Sequence, residues 1–306
     1  MVGVSFVVAD KSNGGILANA RSLALSSFLR SYGTVLCHAQ AHINKDEGGA
    51  PEFFSCGGKL IPITNDLGRV SAKELSEKID EINFKGKQNN ICGVSITHLA
   101  ENGTAYSLRE IKEISKVCKN NYLSLHMDGA RFSNALAYQK SLSPADITWK
   151  VGVDCLSLGA TKNGAMAAEV IIFFNKELAI EAKKLIKQTG HVLSKTRFIS
   201  AQLNAWFRNS LWISLANKAN FMASYLSREL CTFNEFKLFY PTQANEVFLE
   251  VSKETYQEML KLNIISNLWS RVGHNNFILR LVTSFETEKS EIDELLSRIN
   301  TFCSKC

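Results

Sequence analysis

Between about residues 34 and 175, short runs rich in valine, isoleucine and leucine alternate with longer segments whose apolar positions recur every three or four residues. A strand buried on both faces reads as a continuous apolar run and a crossover helix as a 3.6-residue period. The alternation therefore predicts βα units and a mainly parallel sheet. The runs are 34–38, 59–63, 93–97, 123–126, 155–157 and 168–174, with helical segments 71–82 and 107–119 between them. Both helices open on a serine followed three residues later by a glutamate, Ser71 with Glu74 and Ser107 with Glu110, the spacing of a capping box.

The pattern changes after residue 174. Helical stretches at 176–189, 193–208 and 210–230 follow one another, and strand character returns at 236–240 and 246–251. A helix at 253–262, a strand at 277–283 and an amphipathic helix at 287–302 complete the chain. A chain of 306 residues is long for one hydrophobic core, so the expected organisation is a large domain over 1–209 and a small α+β domain over 210–306.

Composition narrows the function. With 45% hydrophobic residues and 4 prolines the chain is neither disordered nor collagenous. Its net charge of +6, from 35 Lys plus Arg against 29 Asp plus Glu, is dispersed rather than blocked, so nucleic acid is not an expected partner. No run approaches the roughly 20 apolar residues of a membrane span. Residues 1–8 lack the basic start and cleavage site of a leader, and the expected location is cytoplasmic. The 8 cysteines are scattered and expected to be reduced, buried thiols. The single terminal pair Cys303-Ser-Lys-Cys306 has no histidine beside it, and no metal is expected.

Two segments carry candidate chemistry. Ser124-Leu-His-Met-Asp-Gly-Ala-Arg131 places Asp128 and Arg131 where an apolar run gives way to a helix, the edge at which parallel sheets bind ligands. Some 30 residues on, Asp154-Cys-Leu-Ser-Leu-Gly-Ala-Thr-Lys-Asn-Gly164 ends another short strand with Lys162 among small residues. A lysine amine so placed can reach a carbonyl, as a Schiff-base lysine must, and an aspartate on an aromatic nitrogen is what a pyridoxal electron sink needs.

With these motifs, the segments Tyr32-Gly-Thr-Val-Leu-Cys-His38, Ala41-His-Ile-Asn-Lys-Asp-Glu-Gly-Gly-Ala-Pro51, Gly190-His-Val-Leu-Ser-Lys-Thr-Arg197 and Arg280-Leu-Val-Thr-Ser284 resemble the threonine aldolase and β-eliminating lyase family, most closely its bacterial low-specificity branch. The resemblance covers nearly nine-tenths of the chain. It implies an α/β fold of the aspartate-aminotransferase type (fold type I) and pyridoxal 5'-phosphate as cofactor. By position, Lys162 would hold the cofactor, Asp128 its ring nitrogen and Arg131 its phenolic oxygen or the substrate carboxylate. His42 would stack on the ring and assist proton transfer, with Glu101 as a second base, and Arg280 would clamp the substrate carboxylate. Lys195 and Arg197 would lie near the cofactor phosphate or a dimer partner. The implied partners are a small amino-acid substrate and further copies of the chain, as a homodimer or homotetramer.

The amino-terminal region departs from the family. The family's Ser-Asp-Asn segment has no counterpart before Met1, an expected truncation, although 4–9 resembles its first strand. The family's phosphate-binding Gly-Thr-x-Ala-Asn turn is replaced by the different stretch Asp10 to Ser22, where Ser12, Asn13, Gly14 and Gly15 would supply a nest of N–H donors. The expected activity is retro-aldol cleavage of threonine, allo-threonine or a related β-hydroxy amino acid to glycine and an aldehyde. The alternatives are β-elimination on the same scaffold and a catalytically degenerate homologue.

Overall fold

The computed structural model describes residues 4–5, 15–84, 90–192, 194–264 and 267–303. They divide into two units, one drawn from 1–101, 106–132 and 141–212, the other from 102–105, 133–140 and 213–306. The second unit thus takes two short mid-chain segments that a single cut at 209/210 leaves in the first.

The first unit is built on a seven-stranded sheet. In chain order its strands are β1 (Val4–Ser5), β2 (Gly33–His38), β3 (Lys59–Ile63), β4 (Asn90–Thr97), β5 (Ser124–Gly129), β6 (Cys155–Gly159) and β7 (Glu169–Phe173). Their order across the sheet is β1-β7-β6-β5-β4-β2-β3. The five from β2 to β6 run parallel, β7 is antiparallel to β6, and β1 pairs antiparallel with β7 at the edge. β2, β6 and most of β5 are buried throughout, which is why they read as unbroken apolar runs. Both expected N-terminal serines act: Ser107 forms a complete capping box with Glu110, and Ser71 accepts from the Glu74 N–H while Glu74 bonds back to the Ser71 N–H.

The helix Gly15–Ser26 covers one face of this sheet. Ala20, Leu23, Ala24 and Leu25 pack with Val35 and Cys37 of β2, Cys155 of β6, and Ile171 and Phe173 of β7. Small residues at two turns of this face let the helix sit close to the strands. Burial pushes the thiols of Cys37 and Cys118 up to about 12, so they are inert fillers of the core. Cys56 and Cys231 correct the expectation of uniformly buried thiols, because both are exposed. Cys306, the second member of the terminal pair, lies outside the described residues.

The second unit carries a four-stranded antiparallel sheet of β8 (Lys237–Leu238), β9 (Glu246–Ser252), β10 (Asn267–Val272) and β11 (Asn276–Val282), ordered β10-β11-β9-β8. Met222, Leu226 and Leu230 of the helix Leu211–Leu230 and Ile292 and Ile299 of the helix Lys289–Ile299 cover Val247, Leu249 and Leu279. Among the described residues no helix is long and apolar enough to cross a membrane.

Candidate active site

In a parallel sheet every strand delivers its carboxyl end to the same edge, and the residues just beyond those ends converge. His42 follows β2, Glu101 follows β4, Asp128 and Arg131 end and follow β5, and Lys162 follows β6. The ladder aligns them: Thr97 pairs with Asp128 and Asp128 with Ser157, and the His98 N–H extends the β4–β5 pairing by donating to the Asp128 carbonyl at 2.8 Å. The expected strand 123–126 is corrected here. β5 runs on to Gly129, so Asp128 is a buried strand residue and not a helix cap.

Lys162 sits in the single 3₁₀ turn Thr161–Asn163, which is clamped on both sides. The Asn163 amide donates to the Trp212 carbonyl at 2.7 Å, and the Trp206 indole N–H donates to the Asn163 carbonyl at 2.8 Å. The Thr161 N–H donates to Oε1 of the buried Glu169 at 3.3 Å. Gly164 closes the turn at φ 106°, and a Cβ on Gly159 would come within 2.6 Å of the Ala130 carbonyl oxygen, so both glycines are steric requirements. The side chain of Lys162 reaches solvent, yet from a recess crowded enough to lower its pKa to about 8. Lost hydration is the first cause and the cations of Arg131 and Arg21 the next, with Glu101 and Asp128 opposing them. Near neutrality such an amine is far more often the free base than an ordinary lysine is.

Asp128 is 1% exposed. Burial alone would raise its pKa, but the guanidinium of Arg21 outweighs that and holds it low, as an anion. Oδ1 accepts the Ala130 N–H at 3.1 Å, and Oδ2 lies 2.6 Å from Nε of Arg21. That contact is a close ion pair between two buried groups, and among the described residues Oδ2 has no further partner.

Arg21 and Glu47 were not anticipated. Arg21, also 1% exposed, places Nη1 2.6 Å from Oε1 of Glu47 and 3.1 Å from Nδ1 of His42, and the same Oε1 lies 2.7 Å from that Nδ1. The legible signal was a charged residue inside the apolar stretch 16–25, where an unpaired arginine would be costly. Glu169, likewise unanticipated, is fully buried, and lost hydration raises its pKa to about 7.

The other expected residues fall elsewhere. Ser12, Asn13 and Gly14 lie outside the described residues, and Gly15 opens the first helix. Lys195 and Arg197 are exposed, Arg197 lying over the Phe198 ring at 5.3 Å. Arg280 belongs to the second unit, on β11, with its guanidinium 5.0 Å from the Trp269 ring centroid and 3.7 Å from Glu246.

A family model described as beta-eliminating lyase matches residues 14–254. The chain is 38% identical over 288 residues to a low specificity L-threonine aldolase of a Pseudomonas sp., covering 93% of this chain and 81% of that protein. It is 39% identical over 279 residues to the protein of the same description from Pseudomonas aeruginosa, covering 90% and 78%. Among solved structures it is similar to a threonine aldolase of Leishmania major, with a TM-score of 0.88 and 26% identity over 98% of this chain and 84% of that one.

Proposed function

The chain belongs to the beta-eliminating lyase family, a pyridoxal-phosphate-dependent fold type I group, and from that premise we propose that it cleaves the Cα–Cβ bond of threonine, allo-threonine or a related β-hydroxy amino acid. The observation that carries this reading is Lys162, an accessible amine of lowered pKa on a clamped turn at the sheet edge, beside the anionic Asp128. The residues suit the cofactor: Asp128 is a buried anion whose Oδ2 can accept from a ring N–H in place of Arg21, and Lys162 has an amine able to condense with an aldehyde. When bound, pyridoxal phosphate supplies a sink for the electron pair left at Cα as the Cα–Cβ bond breaks.

The chain's own residues do the rest. Lys162 would hold the cofactor through its amine, and Asp128 would keep the ring nitrogen protonated. Glu47, as the strongest acceptor near His42, takes its Nδ1–H, which leaves Nε2 as the lone pair that removes the substrate's hydroxyl proton. Glu101 is the second candidate base. Arg280 and Arg131 bind the α-carboxylate, for which a forked guanidinium is shaped. The family resemblance extends the proposal to a cytoplasmic homodimer or homotetramer.

The test is a visible spectrum of the purified protein with added pyridoxal phosphate, then borohydride reduction and peptide mapping. A band in the visible and a pyridoxyl mass on Lys162, with glycine and acetaldehyde released from threonine, are expected. Absence of the Lys162 adduct would overturn the assignment. Turnover confined to an amino acid with a β-leaving group would move it to β-elimination.

A further inference from the structure

Arg21 stands between two carboxylates and satisfies neither completely. Its Nε touches Oδ2 of Asp128 and its Nη1 touches Oε1 of Glu47, each at 2.6 Å. Among the described residues its Nη2 is buried without a partner, and so is the second carboxylate oxygen of Glu47, Oε2. A guanidinium and a carboxylate pair best as two parallel bonds, and the unmatched Nη2 and Oε2 are the halves of such a pairing that Arg21 and Glu47 do not make while Arg21 also reaches Asp128.

Oδ2 of Asp128 is also the atom that the proposed function gives to the cofactor's ring nitrogen, and this inference rests on that reading. One carboxylate oxygen cannot serve two cations at full strength. With Arg21 on Asp128, a protonated ring nitrogen arrives beside a fixed positive charge, and either the guanidinium withdraws or the ring gives up its proton. Glu47 offers the withdrawing guanidinium a ready place.

We infer that Arg21 is a displaceable counter-ion, a positioning residue that neutralises Asp128 in the unloaded protein and passes to a two-bond pairing with Glu47 when the cofactor's ring nitrogen takes Oδ2. The apparent affinity for pyridoxal phosphate is then reduced by the fraction of molecules in which Arg21 still occupies Asp128.

The experiment titrates the wild-type protein and Arg21→Gln with pyridoxal phosphate and with its 1-deaza analogue, which has carbon in place of the ring nitrogen. Bound cofactor is read by absorbance, and the attachment site by borohydride reduction and mapping. Arg21→Gln should tighten pyridoxal phosphate by about tenfold, within the usual range of couplings between sites. It should leave the 1-deaza analogue unchanged, because that analogue makes no call on Oδ2.

Weaker or unchanged binding of pyridoxal phosphate, or an equal shift for both compounds, with the adduct still on Lys162, overturns this inference alone. No adduct on Lys162 in either protein overturns the cofactor reading and this inference with it. If Arg21→Gln does not fold, the double variant Arg21→Gln, Glu47→Gln removes one cation and one anion together, keeps the net charge of the cluster, and carries the same expectations.

Discussion

Oε1 of Glu47 lies 2.7 Å from Nδ1 of His42, nearer than the 3.1 Å of the Arg21 Nη1 donor, and the nearer acceptor favours the tautomer that leaves Nε2 to accept a proton. A carboxylate can only accept, so it fixes the proton on Nδ1, whereas an amide in its place can present either oxygen or nitrogen. Glu47→Gln, assayed with saturating cofactor, is expected to lower kcat by about tenfold or more while KM changes little, since the loss falls on proton transfer. A change confined to KM would instead assign Glu47 to substrate binding.

Lys162 sets a pH dependence for cofactor capture. The neutral amine is the nucleophile, and its pKa is lowered to about 8 from 10.5, so the rate of combination with pyridoxal phosphate should rise with pH and level off just above 8. The linkage has a matching sign. Between 8 and 10.5 the unfolded chain binds more protons than the native one, so this residue's contribution to stability improves as pH rises through that window. Stopped-flow capture across pH 6.5 to 10 checks the first point, and a rate still climbing steeply at pH 10 would contradict it.

Glu169 works in the opposite sense. Its native pKa of about 7 lies above the ordinary 4.5, so the native state holds more protons between those values. Stability falls as pH rises through the window, and the cost is complete above 7. Glu169→Gln keeps an oxygen for the Thr161 N–H and removes the buried charge. It should raise Tm by a few degrees at pH 8 and hardly at all at pH 4.5. Equal effects at both pH values would show that the gain is not electrostatic.

Arg280→Lys tests the proposed carboxylate clamp. The substitution keeps the charge and loses the planar fork, together with the stacking on Trp269. We expect KM for threonine to rise by about tenfold, with the visible band of the bound cofactor unaltered. A loss of the band would instead place the defect in cofactor binding.

What could be read from the sequence follows from burial. The strands β2, β4, β5, β6 and β7 announced themselves because strands buried on both faces leave runs of valine, isoleucine and leucine, and the serine caps are local in sequence. β10 was missed because it is largely exposed, and Asn267-Leu-Trp-Ser-Arg-Val272 offers no apolar run. The helix Phe132–Tyr138 was expected after Arg131, but it is too short to show a period that would give its bounds. In the candidate site Lys162, Asp128 and His42 were legible by motif, but the Arg21 cluster was not. A buried arginine can be suspected from its apolar surroundings, whereas its partners come from distant parts of the chain, and no spacing rule connects them.

His126, two residues before Asp128 on the same strand, shows how the site keeps its dimensions. One ring nitrogen meets the Ser95 hydroxyl of β4 at 2.8 Å and the other the Ser157 hydroxyl of β6 at 2.9 Å, all three residues being buried. Burial lowers the imidazole pKa to about 4, so this rung is uncharged across the physiological range. Sliding β5 by one residue would strand the imidazole and both hydroxyls, and sliding β4 or β6 would strand one hydroxyl and one ring nitrogen, each a buried polar group costing about 1–3 kcal/mol. The rung therefore works as a fixed gauge across the middle of the sheet: the offset between the carboxylate at the end of β5 and the lysine turn after β6 is set by side chains locked beneath them, and loop motion above the sheet edge leaves that offset unchanged.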